Sequence, residues 1–252
     1  MTRIKEAFQR RPAFIGYLTL GDGGIPYTIE SALALVEGGV DILELGIPFS
    51  DPVADGPVIQ AGMKRSLDMG TKPEDVFAVA SAIRARFPVP MILFSYYNPI
   101  LQGGENFMCN AKSAGIDGVL VVDLPLEESD DQIALHHKNG LDTICIATPA
   151  TPNDRLEKIV KTSQGFVYYA CQKGTTGMRS QLPEDFQNQL ARIKSGTTTS
   201  VAAGFGIGDK ASAKAVLEHA DGFIVGSAFV KAIAQKASFS DLRSLARSID
   251  PR

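Results

Sequence analysis

From residue 39 to residue 46 the sequence reads Gly39-Val40-Asp41-Ile42-Leu43-Glu44-Leu45-Gly46. The first glycine is suited to end a helix in a left-handed turn, and the alternating apolar residues after it predict a buried strand. Related junctions recur as Gly115-Ile116-Asp117, Gly140-Leu141-Asp142 and, in part, Ala220-Asp221. Each joins a predicted helix end to a predicted strand, so the chain is predicted to repeat a helix-to-strand unit.

Strand-like apolar runs alternate with helix-period segments along the whole chain. The predicted strands cover residues 13–20, 41–46, 90–96, 117–122, 141–147, 165–170, 198–203 and 222–225. A loop and then an amphipathic stretch follow them, as at 73–86, 127–138 and 208–219. Eight such units predict an α/β fold, a parallel (β/α)8 barrel of the TIM type.

The spacing of the junctions predicts two additions to this barrel. Asp41 and Asp117 lie farther apart than two repeat units would span, and the surplus falls on residues 48–70. We expect an inserted loop and short helix there, after the second strand, and long ordered loops are usually functional. The charged, helix-like segment 1–11 predicts an extra N-terminal helix. No linker or low-complexity tract divides the chain, so residues 1–252 are expected to form a single domain.

A glycine-rich segment suggests an alternative fold. Gly204-Phe205-Gly206-Ile207-Gly208 follows a predicted strand, as a dinucleotide-binding loop does in an open, doubly wound sheet. The segment lacks the third glycine at the required offset and an acidic residue about 20 positions later. It also follows the seventh predicted strand, so the barrel is the better interpretation.

Composition excludes several functional classes. The 252 residues are 44% hydrophobic with a net charge of −3, and Lys and Arg are scattered, which argues against nucleic acid or an anionic membrane as partner. No apolar run reaches the roughly 18 residues of a spanning helix, and the N-terminus lacks the apolar core of a signal peptide, so a cytoplasmic location is predicted. The odd number of cysteines predicts reduced thiols at Cys109, Cys145 and Cys171. The three histidines lie away from the motifs and predict no metal site: His136, His137 and His219.

Two carboxylates form the candidate catalytic pair. Glu44 shares a strand face with Ile42 and Gly46, and a buried charge in such a stretch is costly unless it has a task. A Pro- and Gly-rich loop follows and carries Asp55. Different environments could separate the two pKa values, as proton transfer requires. The alternatives are that Glu44 pairs with an Arg or Tyr in the core and that Asp55 caps a helix beginning at Pro57.

Asp51, in the same loop, is a weaker candidate that reads as a turn residue before Pro52.

Small residues after the last two strands predict a phosphate site. Gly204 and Gly206 follow the seventh predicted strand, and Gly226-Ser227 follows the eighth and opens a helix. Barrels of this class often bind phosphate between these loops and a helix N-terminus. The alternative is that these glycines only turn corners.

The loop after the sixth predicted strand is a candidate lid. It reads Cys171-Gln172-Lys173-Gly174-Thr175-Thr176-Gly177, with glycines as possible hinges and polar atoms to close over phosphate. Lys173 raises the alternative of a Schiff-base aldolase. Its glycine-flanked position beyond the strand predicts a solvated lysine, which disfavours that reading.

Several motifs, in order, carry a family resemblance. Residues 43–57, Asp123-Leu124-Pro125, Thr176-Gly177, residues 204–207 and Gly226-Ser227-Ala228 together resemble the tryptophan synthase alpha chain family. The resemblance implies a (β/α)8 barrel that cleaves indole-3-glycerol phosphate to indole and glyceraldehyde 3-phosphate, in L-tryptophan biosynthesis. It implies that Glu44 is the acid/base that protonates the indole ring at C3. It also implies that Asp55 accepts the indole N–H and stabilises the cationic intermediate.

The same resemblance implies roles for other residues and for a partner. The implied phosphate contacts are Gly177, Gly206, Gly226 and Ser227. The implied indole-pocket residues are Tyr17, Phe94, Tyr96 and Tyr168, with Asp123 matching a family residue and Thr176 a lid residue that closes onto the catalytic Asp. The chain needs no metal or cofactor of its own. Its partner would be a beta chain carrying pyridoxal phosphate, in an α2β2 heterotetramer that covers the top of the barrel.

The chain departs from the family pattern in two loops. Cys171-Gln172-Lys173 stands where the family usually has Ser-Arg, and Gly21-Asp22-Gly23-Gly24 stands where it usually has Gly-Asp-Pro. Both changes leave the two carboxylates intact. They raise a second hypothesis, a regulatory subunit that activates its beta partner while turning over little substrate.

Overall fold

The computed structural model describes residues 1–171, 182–204 and 206–252. Within these ranges nine strand segments, each parallel to its neighbours, form one sheet in the order β5-β4-β3-β2-β1-β9-β8-β7-β6. The segments are β1 (Ala13–Thr19), β2 (Ile42–Gly46), β3 (Met91–Ser95), β4 (Gly118–Val121), β5 (Asp142–Thr143), β6 (Cys145–Ala147), β7 (Val167–Ala170), β8 (Val201–Gly204) and β9 (Gly222–Val225).

The two end segments of the sheet close it into a barrel. β5 pairs with β4 and β6 pairs with β7, and only Ile144 separates them along the chain. The Ile144 N–H donates to the Val119 carbonyl at 2.9 Å, so the chain continues across the join. β5 and β6 are therefore two pieces of one strand. The predicted eight-stranded barrel is confirmed, with its fifth strand, predicted at 141–147, interrupted once.

Helices surround this barrel, including both of the predicted additions. The described α-helices are α1 (Arg3–Arg10), α2 (Ile25–Glu37), α3 (Pro57–Asp68), α4 (Asp75–Arg84), α5 (Tyr97–Ser113), α6 (Asp130–Lys138), α7 (Asn153–Thr162), α8 (Phe186–Ser195), α9 (Lys210–Leu217), α10 (Ser227–Ala234) and α11 (Phe239–Ile249). The extra N-terminal helix is α1, and the inserted helix after the second strand is α3. A 3-10 turn at Leu126–Glu128 precedes α6. Within the described ranges no helix is both long and apolar enough to cross a membrane.

Strand periodicity divides the core into an inner and an outer layer. On β2, Leu43 and Leu45 pack outward against the helices, whereas Ile42 packs into the barrel interior. Helices cover the outer face, so both faces of β1, β2 and β3 are buried. Because side chains alternate along a strand, Glu44 points into the barrel with Ile42. The fold thus places one carboxyl group in an apolar interior.

The repeated junctions lie at the amino ends of the strands. Gly39, Gly115 and Gly140 have φ values of 112°, 100° and 65°, the left-handed turn that the sequence predicts. Two of the aspartates that follow these glycines accept hydrogen bonds from backbone N–H groups of the neighbouring strand. Asp41 accepts from the Phe14 N–H at 2.9 Å, and Asp117 accepts from the Met91 N–H at 3.0 Å. This end of the barrel therefore holds paired carboxylates.

Helix α1 covers the same end. Ile4 is fully buried with the residues of the barrel interior. Thr2 donates to Asp142 at 2.6 Å, and Arg3 pairs with Asp117 at 2.8 Å. With the amino ends of the strands covered, the carboxyl ends are left for a site, which is where TIM barrels place their active sites.

Candidate active site

Glu44 lies in the middle of β2, between Tyr17 of β1 and Ile92 of β3 in the strand register. It is 1% exposed, and neither carboxylate oxygen has a hydrogen-bond partner among the described residues. Burial therefore raises its pKa from 4.5 to about 8. The alternative of a core ion pair with Arg or a hydrogen bond to Tyr finds no support in the described residues.

Asp55 lies in the loop between β2 and α3 and is 5% exposed. Its Oδ2 accepts a hydrogen bond from the Tyr96 hydroxyl at 2.6 Å. Burial raises its pKa from 3.8 to about 6, and the bond from Tyr96 partly opposes that rise. Gly56 is the N-cap of α3 and makes no side-chain cap, with Pro57 first in the helix. The helix-capping interpretation of Asp55 is therefore wrong, although Pro57 stands where that interpretation placed it.

Three contacts hold the loop that carries Asp55. The Ala54 N–H donates to the Tyr96 hydroxyl oxygen at 3.1 Å, and Phe49 stacks on the Tyr96 ring with centroids 5.0 Å apart. The Gln60 amide donates to the Asp55 carbonyl at 2.9 Å. The sequence motifs missed the roles of Phe49 and Gln60. Their positions within six residues of Asp55 were the available signal. Asp51 is exposed, as its turn interpretation predicts.

The aromatic residues predicted to line a pocket lie near the two carboxyl groups. The Tyr17 and Phe94 rings meet edge to face with their centroids 5.1 Å apart, and the Tyr96 hydroxyl donates to the Asp55 carboxylate. Burial raises the pKa of Tyr17, and the charge of Asp55 raises it further. Burial likewise raises the pKa of Tyr168, with the charge of Glu44 as the next cause. Tyr17, Phe94 and Tyr96 belong to one apolar cluster of the barrel interior, with Tyr168 packed against it. We call this region, together with Glu44 and Asp55, the chamber.

The predicted phosphate loops lie beside the same chamber. A Cβ on Gly204 would lie 2.7 Å from the Tyr168 hydroxyl oxygen, and one on Gly226 would lie 3.4 Å from Tyr17 Cβ. Gly206 has a φ of 36°, and Gly226 is the N-cap of α10, which begins at Ser227. Helix N-termini present unpaired N–H groups to anions. The remaining predictions on Lys173, Thr176 and Gly177 lie outside the described residues.

The predicted packing role of the histidines is clearest at His136. Its ring nitrogens contact the Gln132 amide and the Thr143 hydroxyl, both at 2.9 Å, and burial lowers its pKa to about 4. It lines a cavity of about 300 Å³ between β4, β6, α6 and α7, which neither Glu44 nor Asp55 lines. No group of His, Cys, Asp and Glu in the described part of the chain could hold a metal ion. Cys109, Cys145 and Cys171 are free thiols.

The arrangement has a defined chemical capacity. At neutral pH, a pKa of about 8 keeps Glu44 protonated and a pKa of about 6 leaves Asp55 ionised. One acid and one base face the same aromatic chamber, and enzymes tune carboxyl pairs in this way for proton transfer. Fold and site together define a (β/α)8-barrel protein whose interior holds two carboxyl groups with different pKa values.

Comparisons with known proteins agree. Residues 4–248 match the family model described as tryptophan synthase alpha chain. The tryptophan synthase alpha chain of Chlamydia caviae is 49% identical over 256 residues, with both chains fully covered. That of Coxiella burnetii is 46% identical over 251 residues, covering 100% of this chain and 98% of the relative.

Solved structures of tryptophan synthases are also similar to this chain. A Mycobacterium tuberculosis tryptophan synthase structure is 33% identical with a TM-score of 0.92, over 98% of this chain and 96% of the other. A Pyrococcus furiosus tryptophan synthase complex is 35% identical with a TM-score of 0.88, over 95% and 98%. The chain belongs to the tryptophan synthase alpha chain family. It is accordingly a lyase of tryptophan biosynthesis that cleaves indole-3-glycerol phosphate, and the pyridoxal phosphate of the synthase belongs to the beta chain.

Proposed function

We propose that Glu44 and Asp55 perform the cleavage, with Glu44 as general acid and then base and Asp55 as the partner of the indole nitrogen. The observation that carries this proposal is the unpaired, buried Glu44 carboxyl group, whose pKa of about 8 keeps its proton available at neutral pH. Asp55, with a pKa of about 6, is ionised at the same pH and can offset a positive charge.

The proposed steps balance. Glu44 transfers its proton to C3 of the indole ring, which places positive charge at the ring nitrogen, and Asp55 accepts the hydrogen bond from that N–H. The bond from C3 to the glycerol carbon then breaks, and its electron pair returns to the ring. The glycerol hydroxyl on that carbon becomes the aldehyde carbonyl, and its proton passes to the Glu44 carboxylate. Indole and glyceraldehyde 3-phosphate leave, and Glu44 is protonated again.

The chamber supports this assignment of substrate. Tyr17, Phe94 and Tyr168 offer apolar, aromatic faces that suit a flat heterocycle. We place the substrate phosphate against the backbone N–H groups at Gly206, Gly226 and Ser227, because α10 begins there. The family resemblance adds Gly177 as a phosphate contact and Thr176 as a lid residue.

An indole-release assay of the purified chain tests the catalytic assignment. Asp55→Asn should lower kcat by about a hundredfold, since a neutral amide offsets little positive charge. The same variant should still bind glycerol phosphate through the phosphate loops. If it binds no glycerol phosphate, Asp55 has a structural role and the assignment is wrong.

A second variant tests the phosphate site. Gly226→Asp puts a carboxylate at the N-terminus of α10, where it would repel the substrate phosphate. We expect KM to rise about tenfold or more while the melting temperature changes little. A loss of stability as large as the loss of binding would return Gly226 to a turn-only role.

We further propose that residues 1–252 act in the cytoplasm as a single domain that binds a tryptophan synthase beta chain carrying pyridoxal phosphate, in an α2β2 assembly. Val53 and Leu101, 75% and 56% exposed, follow the carboxyl ends of β2 and β3, where such a partner would cover the barrel. Size-exclusion chromatography with a beta chain tests assembly.

Two further measurements test the alternative functions. Indole release with and without the beta chain separates an enzyme from a regulatory subunit. A borohydride-trapped adduct at Lys173 would support the Schiff-base alternative.

A further inference from the structure

An ion pair between a buried aspartate and a partly exposed arginine joins the loop after β1 to α3, and it has no part in the proposed chemistry. Asp22, in the loop after β1, is 2% exposed. Arg65, on α3, donates to both of its oxygens, from Nε to Oδ1 at 2.8 Å and from Nη2 to Oδ2 at 2.7 Å. A two-pronged bond of this kind fixes the orientation of both partners as well as their distance. The pair therefore ties the inserted helix to the first-strand loop.

Two more contacts seat α3 on the same surface. The Ser66 hydroxyl donates to the Leu20 carbonyl at 2.5 Å. Gly62 lies so close that an added Cβ would meet Val230 Cγ1 at 2.8 Å and Asp22 Oδ2 at 3.2 Å. Only a residue without a side chain permits this approach. The second half of α3 is thus locked between the β1 loop and α10.

Asp55 lies directly before the first turn of α3. Gly56 is the N-cap of the helix, and Gln60, one turn inside it, donates to the Asp55 carbonyl at 2.9 Å. Arg65 lies eight residues after Pro57, about 12 Å along the helix axis at 1.5 Å per residue. The Gln60 bond therefore connects α3, which Arg65 fixes to Asp22, with the backbone of Asp55.

We propose that the Asp22–Arg65 pair is a positioning device for catalysis, which sets α3 so that the Asp55 carboxylate meets the Tyr96 hydroxyl. The proposal rests on the catalytic role proposed for Asp55. Neither Asp22 nor Arg65 acts on substrate, and each acts through the placement of Asp55. Because Gly62 also touches Val230 of α10, the same helix joins Asp55 to the element that opens the proposed phosphate site.

Steady-state kinetics of the full chain test the proposal with Arg65→Gln and the neutral pair Asp22→Asn/Arg65→Gln. The double variant keeps two polar groups in contact and leaves no unpaired buried charge. We expect kcat to fall about tenfold or more and KM to change less than about threefold, because misplacement by about 1 Å can cost two orders of magnitude. The matched control is Asp68→Asn, which breaks the exposed Lys64–Asp68 pair on the same helix. It should stay within about twofold of the parent chain.

Coupling to Tyr96 separates positioning from a structural role. Tyr96→Phe removes the hydroxyl that Asp55 is set against. If α3 acts through that contact, Arg65→Gln should lower kcat far less in the Tyr96→Phe background than in the parent chain. Multiplicative effects, or a folded Arg65→Gln variant with parental kcat, would overturn the proposal.

A second route keeps the proposal testable if the charge variants do not fold. Gly62→Ala should push α3 away from Val230 and lower kcat, and Val230→Ala in the same chain should recover part of the loss by making room. No loss in a folded Gly62→Ala variant would count against the positioning role. The proposed function fails separately: in that case Asp55→Asn itself retains parental kcat.

Discussion

The two ends of the barrel treat carboxyl groups in opposite ways. At the amino ends of the strands, Asp117 is 5% exposed and bonds to Arg84, Arg3 and the Met91 N–H, all within 3.0 Å. At the carboxyl ends, Glu44 is 1% exposed and has no hydrogen-bond partner among the described residues. Burial is nearly equal, so exposure does not distinguish the two residues. The two carboxyl groups differ in the number of hydrogen-bond donors within reach.

This difference separates a carboxyl group that stabilises the fold from the one proposed to react. A buried carboxylate with arginine and backbone donors has its charge compensated. A buried carboxyl group without donors takes up a proton instead, which is why the pKa of Glu44 rises to about 8. Asp142 lies between the two cases, because burial raises its pKa while its bond from Thr2 opposes the rise.

The strongest test of the comparison is Glu44→Gln. The amide has nearly the same volume but no proton of suitable acidity, so indole release should fall by about a thousandfold while the fold is retained. An indole-release assay together with circular dichroism checks both parts. Activity within about tenfold of the parent chain would refute the acid–base role.

At the opposite end, Asp117→Asn should affect stability and spare chemistry. It leaves the partly buried Arg84 without its anion, so the free energy of unfolding should fall by about 2 kcal/mol, below the scale for breaking a fully buried pair. Urea unfolding measures the loss, and kcat per folded molecule should stay within about twofold. Arg3→Gln is the milder control, because Arg3 is half exposed. A fall in kcat as large as that of Glu44→Gln would erase the distinction between the two ends.

The proton on Glu44 also makes stability depend on pH. Its folded-state pKa of about 8 lies above the unfolded value of 4.5, so the folded state binds the proton more tightly and stability falls as pH rises through this window. Glu44→Gln removes that loss and should be more stable than the parent chain at pH 9 by about 5 kcal/mol, with little difference at pH 4. Parallel stability curves for the two chains from pH 4 to pH 9 would contradict the assigned protonation state.

The smallest effect sharpens the pairing of the two carboxyl groups. The proposed mechanism needs Asp55 ionised and Glu44 protonated, so kcat/KM should form a bell with half-maximal values near pH 6 and pH 8. Within those limits the rate should vary by about twofold. Tyr96→Phe removes the bond that opposes the rise in the Asp55 pKa, so the acidic limb should move to higher pH. An unmoved acidic limb would assign it to a different group.

Much of this molecule could be read from local sequence. The order of strands and helices follows from the apolar runs, and the surplus between Asp41 and Asp117 located α3. Glu44 is identifiable as a candidate from the sequence because a charged residue in an alternating apolar stretch is costly to bury without a function. The interruption at Ile144 was not predicted, because it depends on β5 pairing with β4 and β6 with β7, which a single apolar run does not encode.

The contacts that give the site its properties join distant parts of the chain. Tyr96 bonds to Asp55 across 41 residues, and Arg65 bonds to Asp22 across 43. The sequence placed Tyr96 in the pocket only through the family resemblance, and it left Asp22 as part of an altered loop. Neither pairing has a local signal, since the partners meet only after β1, β2 and β3 have aligned.

The sequence by itself determined the barrel, the inserted helix and the two candidate carboxyl groups, one on β2 and one in the loop after it, because strand and helix periodicity and a buried charge are properties of neighbouring residues. Only the tertiary structure decided that Asp55 faces Tyr96 instead of capping α3. It alone decided which carboxyl group keeps its proton. A pKa depends on desolvation and on the donors within reach, and both are set by side chains that converge from separate strands.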